Sequence, residues 1–175
     1  MTTMSTVLLG YRGSGKTTIG KQLAERLWQK FVDTDELVVR AAGDRTIREI
    51  FEQDGEPRFR ELETAALKQA LALDEHVIAI GGGAVGRQEN RELLRDSPHK
   101  RIYLKCDPEE LLKRIEADPE TGASRPPLTE LGGGIDEIRQ VLEERESWYR
   151  QVMTAEVDVT HLLPDEAVVY IVRLL

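Results

Sequence analysis

The sequence predicts an α/β fold of three layers, with a five-stranded parallel sheet held between helices. Short runs rich in β-branched residues and leucine alternate with stretches of helical periodicity. The runs show little in-and-out alternation, the pattern of strands buried on both faces. The first run also passes directly into a glycine-rich loop and then a helical pattern.

The strand segments are 6–9, 31–32, 77–80, 101–104 and 157–159. Between them apolar residues recur at helical spacing: Ile19, Leu23 and Leu27; Leu62, Ala66, Ala70 and Leu73; Leu111, Leu112 and Ile115; Ile138, Val141 and Leu142. Pro108 after Asp107 opens one helix, with Asp107 as its cap, and Pro164 with Asp165 opens the last in a similar way. Residues 117–134 hold three prolines, four glycines and Arg125, so regular structure is not expected there and the stretch reads as a mobile lid. At 175 residues, with no repeat or linker, residues 1–175 form a single domain. Trp28 is expected to pack on the first helix and Cys106 to be a small packing residue. His76, His99 and His161 show no metal-ligand spacing and are read as surface or edge residues. Trp148 and Tyr149 suit either core or pocket wall.

With 24 Lys+Arg against 32 Asp+Glu the net charge is −8, which argues against nucleic-acid and membrane-surface partners. The single cysteine allows no internal disulfide and suits a reducing compartment. The first residues lack a basic start and a long apolar stretch, and no run of about 20 apolar residues is present to span a bilayer. A cytoplasmic monomer acting on small molecules is the expectation.

Gly10 to Thr17 match G-x-x-x-x-G-K-[ST] between a strand and a helical pattern. Glycines let such a loop curl until successive N–H groups point inward, and the following helix adds the positive end of its dipole. Gly13, Ser14, Gly15 and Thr18 then belong to a phosphate-binding loop, with Lys16 reaching the β- and γ-phosphates and the Thr17 hydroxyl ligating Mg²⁺. The ligand is a nucleoside triphosphate. The plainer alternative, a glycine-rich turn with a surface lysine, does not account for the context.

No N-K-x-D guanine signature is present. After the second strand, Asp33 and Asp35 stand two apart, so in extended chain they point the same way. Ligands of parallel α/β sheets gather at the carboxyl ends of strands, where this pair falls. One acid suits Mg²⁺ and the other an acceptor hydroxyl; equally, the pair suits a strand-end turn with Asp35 capping the next helix. Arg60 offers a fork for a carboxylate, against the alternative of a helix-face pair with Glu56 or Glu63. Gly81, Gly82 and Gly83 allow close approach of a ligand to the backbone or make a tight turn, and Arg145 lies beside Trp148 and Tyr149.

Taken in order, the phosphate loop, D-x-D, F-R-x-x-E, G-G-G, the R-P of the lid, an R-x-x-x-Y helix and a closing V-D-x-T resemble the shikimate kinases, in the nucleoside-monophosphate-kinase-like branch of phosphate-loop proteins. The resemblance covers essentially the whole chain and implies strand order 2-3-1-4-5. It implies transfer of the γ-phosphoryl group of ATP, with Mg²⁺, to the 3-hydroxyl of shikimate in the pathway to chorismate and the aromatic amino acids. By the same resemblance Lys16 binds phosphate, while Thr17 binds Mg²⁺ and Asp33 contacts it through water. Asp35, Arg60, Gly81, Gly82, Gly83 and Arg145 form the shikimate pocket, the substrate region lying at about 33–62. Arg125 is the lid arginine, and Arg114 and Pro164 flank adenine. Lys16, Asp35 and Arg125 are the catalytic set. The lid reads R-P-P-L rather than the family's R-P-L and is followed by Gly132 to Gly134. Gluconate kinase is the nearest alternative activity, and a non-catalytic ATP-binding module the alternative of another class.

Overall fold

A computed structural model describes residues 4–120 and 126–175. In chain order the elements are β1 (Thr6–Leu9), α1 (Lys16–Leu27), β2 (Lys30–Asp33), α2 (Thr34–Ala41), α3 (Ile47–Leu71), β3 (His76–Ala79), α4 (Gln88–Asp96), β4 (Lys100–Lys105), α5 (Pro108–Ala117), α6 (Ile135–Val152), β5 (Ala155–Asp158) and α7 (Pro164–Val172). All strand pairings are parallel, and the sheet order is β2-β3-β1-β4-β5, as expected. β1 lies at the centre, with Val7 facing Ile78 on one side and Arg101 on the other.

Because side chains alternate along a strand, β1 feeds both layers. Leu8 joins Leu23, Leu111, Val141 and Ile171 on one face, whereas Val7 and Leu9 join Leu67, Leu94 and Tyr149 on the other. A third cluster, built from Val38, Ile50, Phe59 and Ala66, fixes α2 against α3 and includes a Phe51–Phe59 ring pair 4.7 Å apart. The central strands match the expectation of burial on both faces, but β2 and β5 lie at the sheet margins and keep partly exposed residues.

Two helix starts differ in a way that bears on function. α3 begins with a closed capping box, in which Glu49 N–H donates to Thr46 Oγ1 at 3.2 Å and Thr46 N–H donates to Glu49 at 2.7 Å. α1 instead follows Gly15, at φ 94°, with no side-chain cap, so no side-chain acceptor occupies its first-turn amides. α3 is also broken internally, at Gly55 (φ 83°), just before Pro57.

Some local expectations are corrected. Trp28 does not pack on α1: it is 96% exposed and stands just past the helix end in a left-handed conformation, φ 56°, closing the helix through its own N–H. His99 is buried, accepting from Ser5 N–H at Nδ1 and placing Nε2 2.9 Å from the Leu71 carbonyl, because the residue entering β4 lies between the chain entering β1 and the end of α3. Asp107 precedes α5 but makes no side-chain cap; its N–H instead donates to Thr160 Oγ1. Cys106 is buried as expected. Among the described residues no helix is long and apolar enough to cross a membrane.

Candidate active site

The loop leaving β1 folds back over its own lysine. Lys16 Nζ donates to the carbonyls of Gly10 at 2.7 Å and Tyr11 at 2.9 Å, and Ser14 N–H donates to Tyr11 O at 3.1 Å. Gly13 (φ 85°) and Gly15 (φ 94°) supply the left-handed backbone that such a loop requires. Gly13, Gly15, Lys16, Thr17 and Thr18 line a cleft of about 730 Å³, and Arg114 and Pro164 close its far side. Ser14 is wholly buried beneath the loop and is not part of that lining. Arg114 is held by Glu110 at 3.0 Å and donates to the Val159 carbonyl at 2.9 Å, which fixes the loop after β5 against α5.

The acids after β2 divide in an unexpected way. α2 begins at Thr34, so Asp33 and Asp35 do not share an extended segment. Asp33, rather than Asp35, is the cap, accepting from Asp35 N–H at 2.9 Å. The other Asp33 oxygen accepts from the Thr17 hydroxyl at 3.2 Å, bringing together the two residues expected to serve Mg²⁺. Asp35, released from capping, is buried in the first turn of α2 and lines both the nucleotide cleft and a second cavity beside it.

The floor of that second cavity is the triple glycine after β3. A methyl group at Gly81 would stand 2.8 Å from Asp35 Oδ1 and 3.1 Å from Glu63 Oε1. At Gly83 it would stand 2.9 Å from Arg60 Nη1 and 3.3 Å from Arg145 Nη2. At Gly82 it would meet the phosphate loop itself, 3.1 Å from Gly10 O and 3.3 Å from Arg12 N. The missing side chains therefore let two carboxylates, two guanidinium groups and the phosphate loop converge on three consecutive residues. Tyr149 holds this floor from below, donating its hydroxyl to Gly82 O at 2.6 Å. It is a core residue, and its own hydroxyl is pushed up to about 12 by burial.

Arg60 makes both of the pairs considered for it, with Glu56 at 3.1 Å and Glu63 at 2.9 Å, yet it is no solvated helix-face arginine. Its side chain is 22% exposed, Glu63 is 2% exposed, and its guanidinium lies 5.2 Å from the Phe59 ring. Burial raises the Glu63 carboxyl above the usual range, opposed by attraction to Arg60. Arg145 lies 5.9 Å from the ring centroid of Tyr11.

Several lining residues were given no site role from the sequence. Arg12 occupies a variable position of the loop motif, yet with Asp35 it is one of the two residues that line both cavities. Phe51 and Leu128 supply apolar wall. Only proximity in the fold could have shown this for Arg12, and the Phe51–Phe59 contact likewise depends on the break at Gly55, since residues eight apart in an unbroken helix stand about 12 Å apart. Arg125 lies outside the described residues. Among the described residues no three His, Cys, Asp or Glu side chains form a metal-holding group.

A parallel sheet, a phosphate loop at the end of its central strand and an acid–arginine pocket beside that loop define a phosphate-loop small-molecule kinase. The shikimate kinase family model matches residues 12–175. A shikimate kinase of Streptococcus gordonii is 40% identical over 93% of this chain and 95% of its own length. One from Rhodopirellula baltica is 36% identical over 95% of this chain and 87% of its own. The solved shikimate kinase of Acinetobacter baumannii in complex with shikimate superposes with a TM-score of 0.89 at 33% identity, covering 99% of this chain and 93% of that one. This chain belongs to the shikimate kinase family. A gluconokinase from Sinorhizobium meliloti shares the fold alone, with a TM-score of 0.65 at 23% identity.

Proposed function

We propose that this chain transfers the γ-phosphoryl group of ATP to the 3-hydroxyl of shikimate, on the pathway to chorismate. The observation that carries this reading is the meeting of Asp35, Glu63, Arg60 and Arg145 over a glycine floor that also touches the phosphate loop. A small acceptor with one carboxylate and several hydroxyls suits those groups: the guanidinium forks take the carboxylate, and the acids take hydroxyls.

ATP lies along the cleft, its phosphates on the amides of the loop and of the first turn of α1, and its base between Arg114 and Pro164. Asp35, at the seam of the two cavities, accepts the proton of the attacking hydroxyl as the new O–P bond forms and ADP departs. Lys16 and Arg12 offset charge on the transferring group from the loop side, and Arg125 does so from the lid, 117–134. The Thr17 hydroxyl and an Asp33 carboxylate oxygen, adjacent to each other, are hard oxygen donors that suit Mg²⁺. When bound, Mg²⁺ draws charge from the phosphate oxygens. The enzyme acts as a cytoplasmic monomer with no nucleic-acid or membrane partner.

The test is ADP release from MgATP with shikimate, with gluconate and with neither. Shikimate-dependent release is expected. Release with gluconate alone would transfer the assignment, and release indifferent to both would end it. Asp35→Asn is expected to lose most turnover while titrating with ATP as the wild type does.

A further inference from the structure

Glu137 lies in the first turn of α6 and is 1% exposed. A carboxylate at that depth needs donors, and it finds them in another part of the chain. One oxygen, Oε1, accepts from Leu128 N–H at 3.0 Å, from Thr129 N–H at 2.6 Å and from the Thr129 hydroxyl at 2.9 Å. The same hydroxyl accepts from Leu131 N–H at 3.2 Å, so the hold extends one turn further.

Leu128 and Leu131 are 37% and 53% exposed, and residues 126–134 form turns and bends with no helix or strand. Gly132, Gly133 and Gly134 all have positive φ, of 74°, 102° and 87°, and a methyl group at any of them would meet nothing within 4 Å. The link into α6 therefore has no side chains with which to set the direction of what precedes it. Yet Pro126 and Leu128, on the far side of that link, are wall residues of the acceptor cavity. Glu137 itself does not line the cavity.

We propose that Glu137 is a positioning residue for acceptor binding: it clamps Leu128 and Thr129 so that Leu128 and Pro126 stand as the outer wall of the pocket whose floor is Gly81–Gly83. The inference rests on the functional reading above for the identity of the acceptor. α6 also carries Arg145, so one rigid helix sets both the wall and an acceptor-facing arginine.

The experiment compares Glu137→Ala and Glu137→Gln with the wild type, reading KM for shikimate, KM for MgATP, kcat, and hydrogen exchange of the Leu128 and Thr129 amides. Glu137→Ala is expected to raise the shikimate KM about tenfold, to leave the MgATP KM within about twofold, and to speed exchange at both amides by about tenfold or more. Glu137→Gln keeps an accepting oxygen and stays within about threefold of wild type on every measure. Should Glu137→Ala fail to fold, Thr129→Val, which removes one of the three donors, is expected to raise the shikimate KM about threefold with the MgATP KM unmoved. Equal shifts in both KM values, or fast exchange with an unchanged shikimate KM, would overturn the proposal. A wild type that releases no ADP in response to shikimate would instead remove the functional reading, and the exchange comparison would still judge the clamp.

Discussion

The cleft at the phosphate loop and the cavity beside it, which we propose hold nucleotide and acceptor, are built by opposite means. At the phosphate loop one contiguous stretch supplies the lining from Arg12 to Ile19, Ser14 aside, and the lysine is kept in place by carbonyls only five and six residues away. In the acceptor pocket the groups come from β2–α2, α3, the turn after β3 and α6, and charge is matched by charge, Arg60 against the buried Glu63. Backbone recognition tolerates variation in side chains, whereas charge recognition depends on each partner: removing one leaves the other buried and uncompensated. The triple glycine joins the two halves, since Gly82 abuts the phosphate loop while Gly81 and Gly83 abut the acceptor groups.

Substitutions can separate the halves. Lys16→Ala should do the most harm, lowering kcat/KM by about 10³-fold or more in steady-state assays regardless of which substrate is varied. Gly83→Ala drives a methyl group at two guanidinium groups and should raise the shikimate KM by about tenfold or more, with the MgATP KM nearly unchanged. An equal effect on both substrates would show that the halves are not separable at that residue. Arg60→Ala should cost about 2 kcal/mol in urea unfolding by leaving Glu63 unpaired, and adding Glu63→Gln should restore part of it. Additive costs would show that the pair is not coupled.

The smallest effect lies at Cys106, near the cleft residues Arg114 and Glu110, where burial pushes the thiol up to about 11. The folded state holds that proton more tightly than the unfolded chain, so the associated stability is present below about pH 8.5 and is lost as pH rises through 11. At pH 8, alkylation by iodoacetamide should be about a hundredfold slower in the folded protein than in denaturant.

The same contrast explains what could be read from the sequence. Layers, strand positions and the phosphate loop were legible because each is written in contiguous residues: Val7–Leu9 running into Gly10–Thr18 is one sentence of chain. Arg60 and Arg145 were legible only through the order of weak motifs. Their convergence at Gly83 depends on distances that no spacing rule contains. Spacing left two roles open for the Asp33–Asp35 pair, and the alternative with Asp35 as cap is not the one found: α2 begins at Thr34, two residues earlier than that alternative requires, and Asp33 caps it. Arg12 escaped notice because the motif treats its position as free. Trp28 was misplaced because large apolar residues are usually buried, whereas its backbone turns it outward at the helix end.

That outward turn gives the molecule a pair of built-in optical labels. The two indoles sit in contrasting surroundings: Trp28 is in open water, and Trp148 rests under the Arg91 guanidinium, 5.3 Å from its ring. Trp148 is also three residues from Arg145 on the same helix. Acrylamide should quench the long-wavelength emission of Trp28 whatever is bound, leaving a residual blue-shifted signal from Trp148 that reports, without any attached dye, when a carboxylate settles on α6.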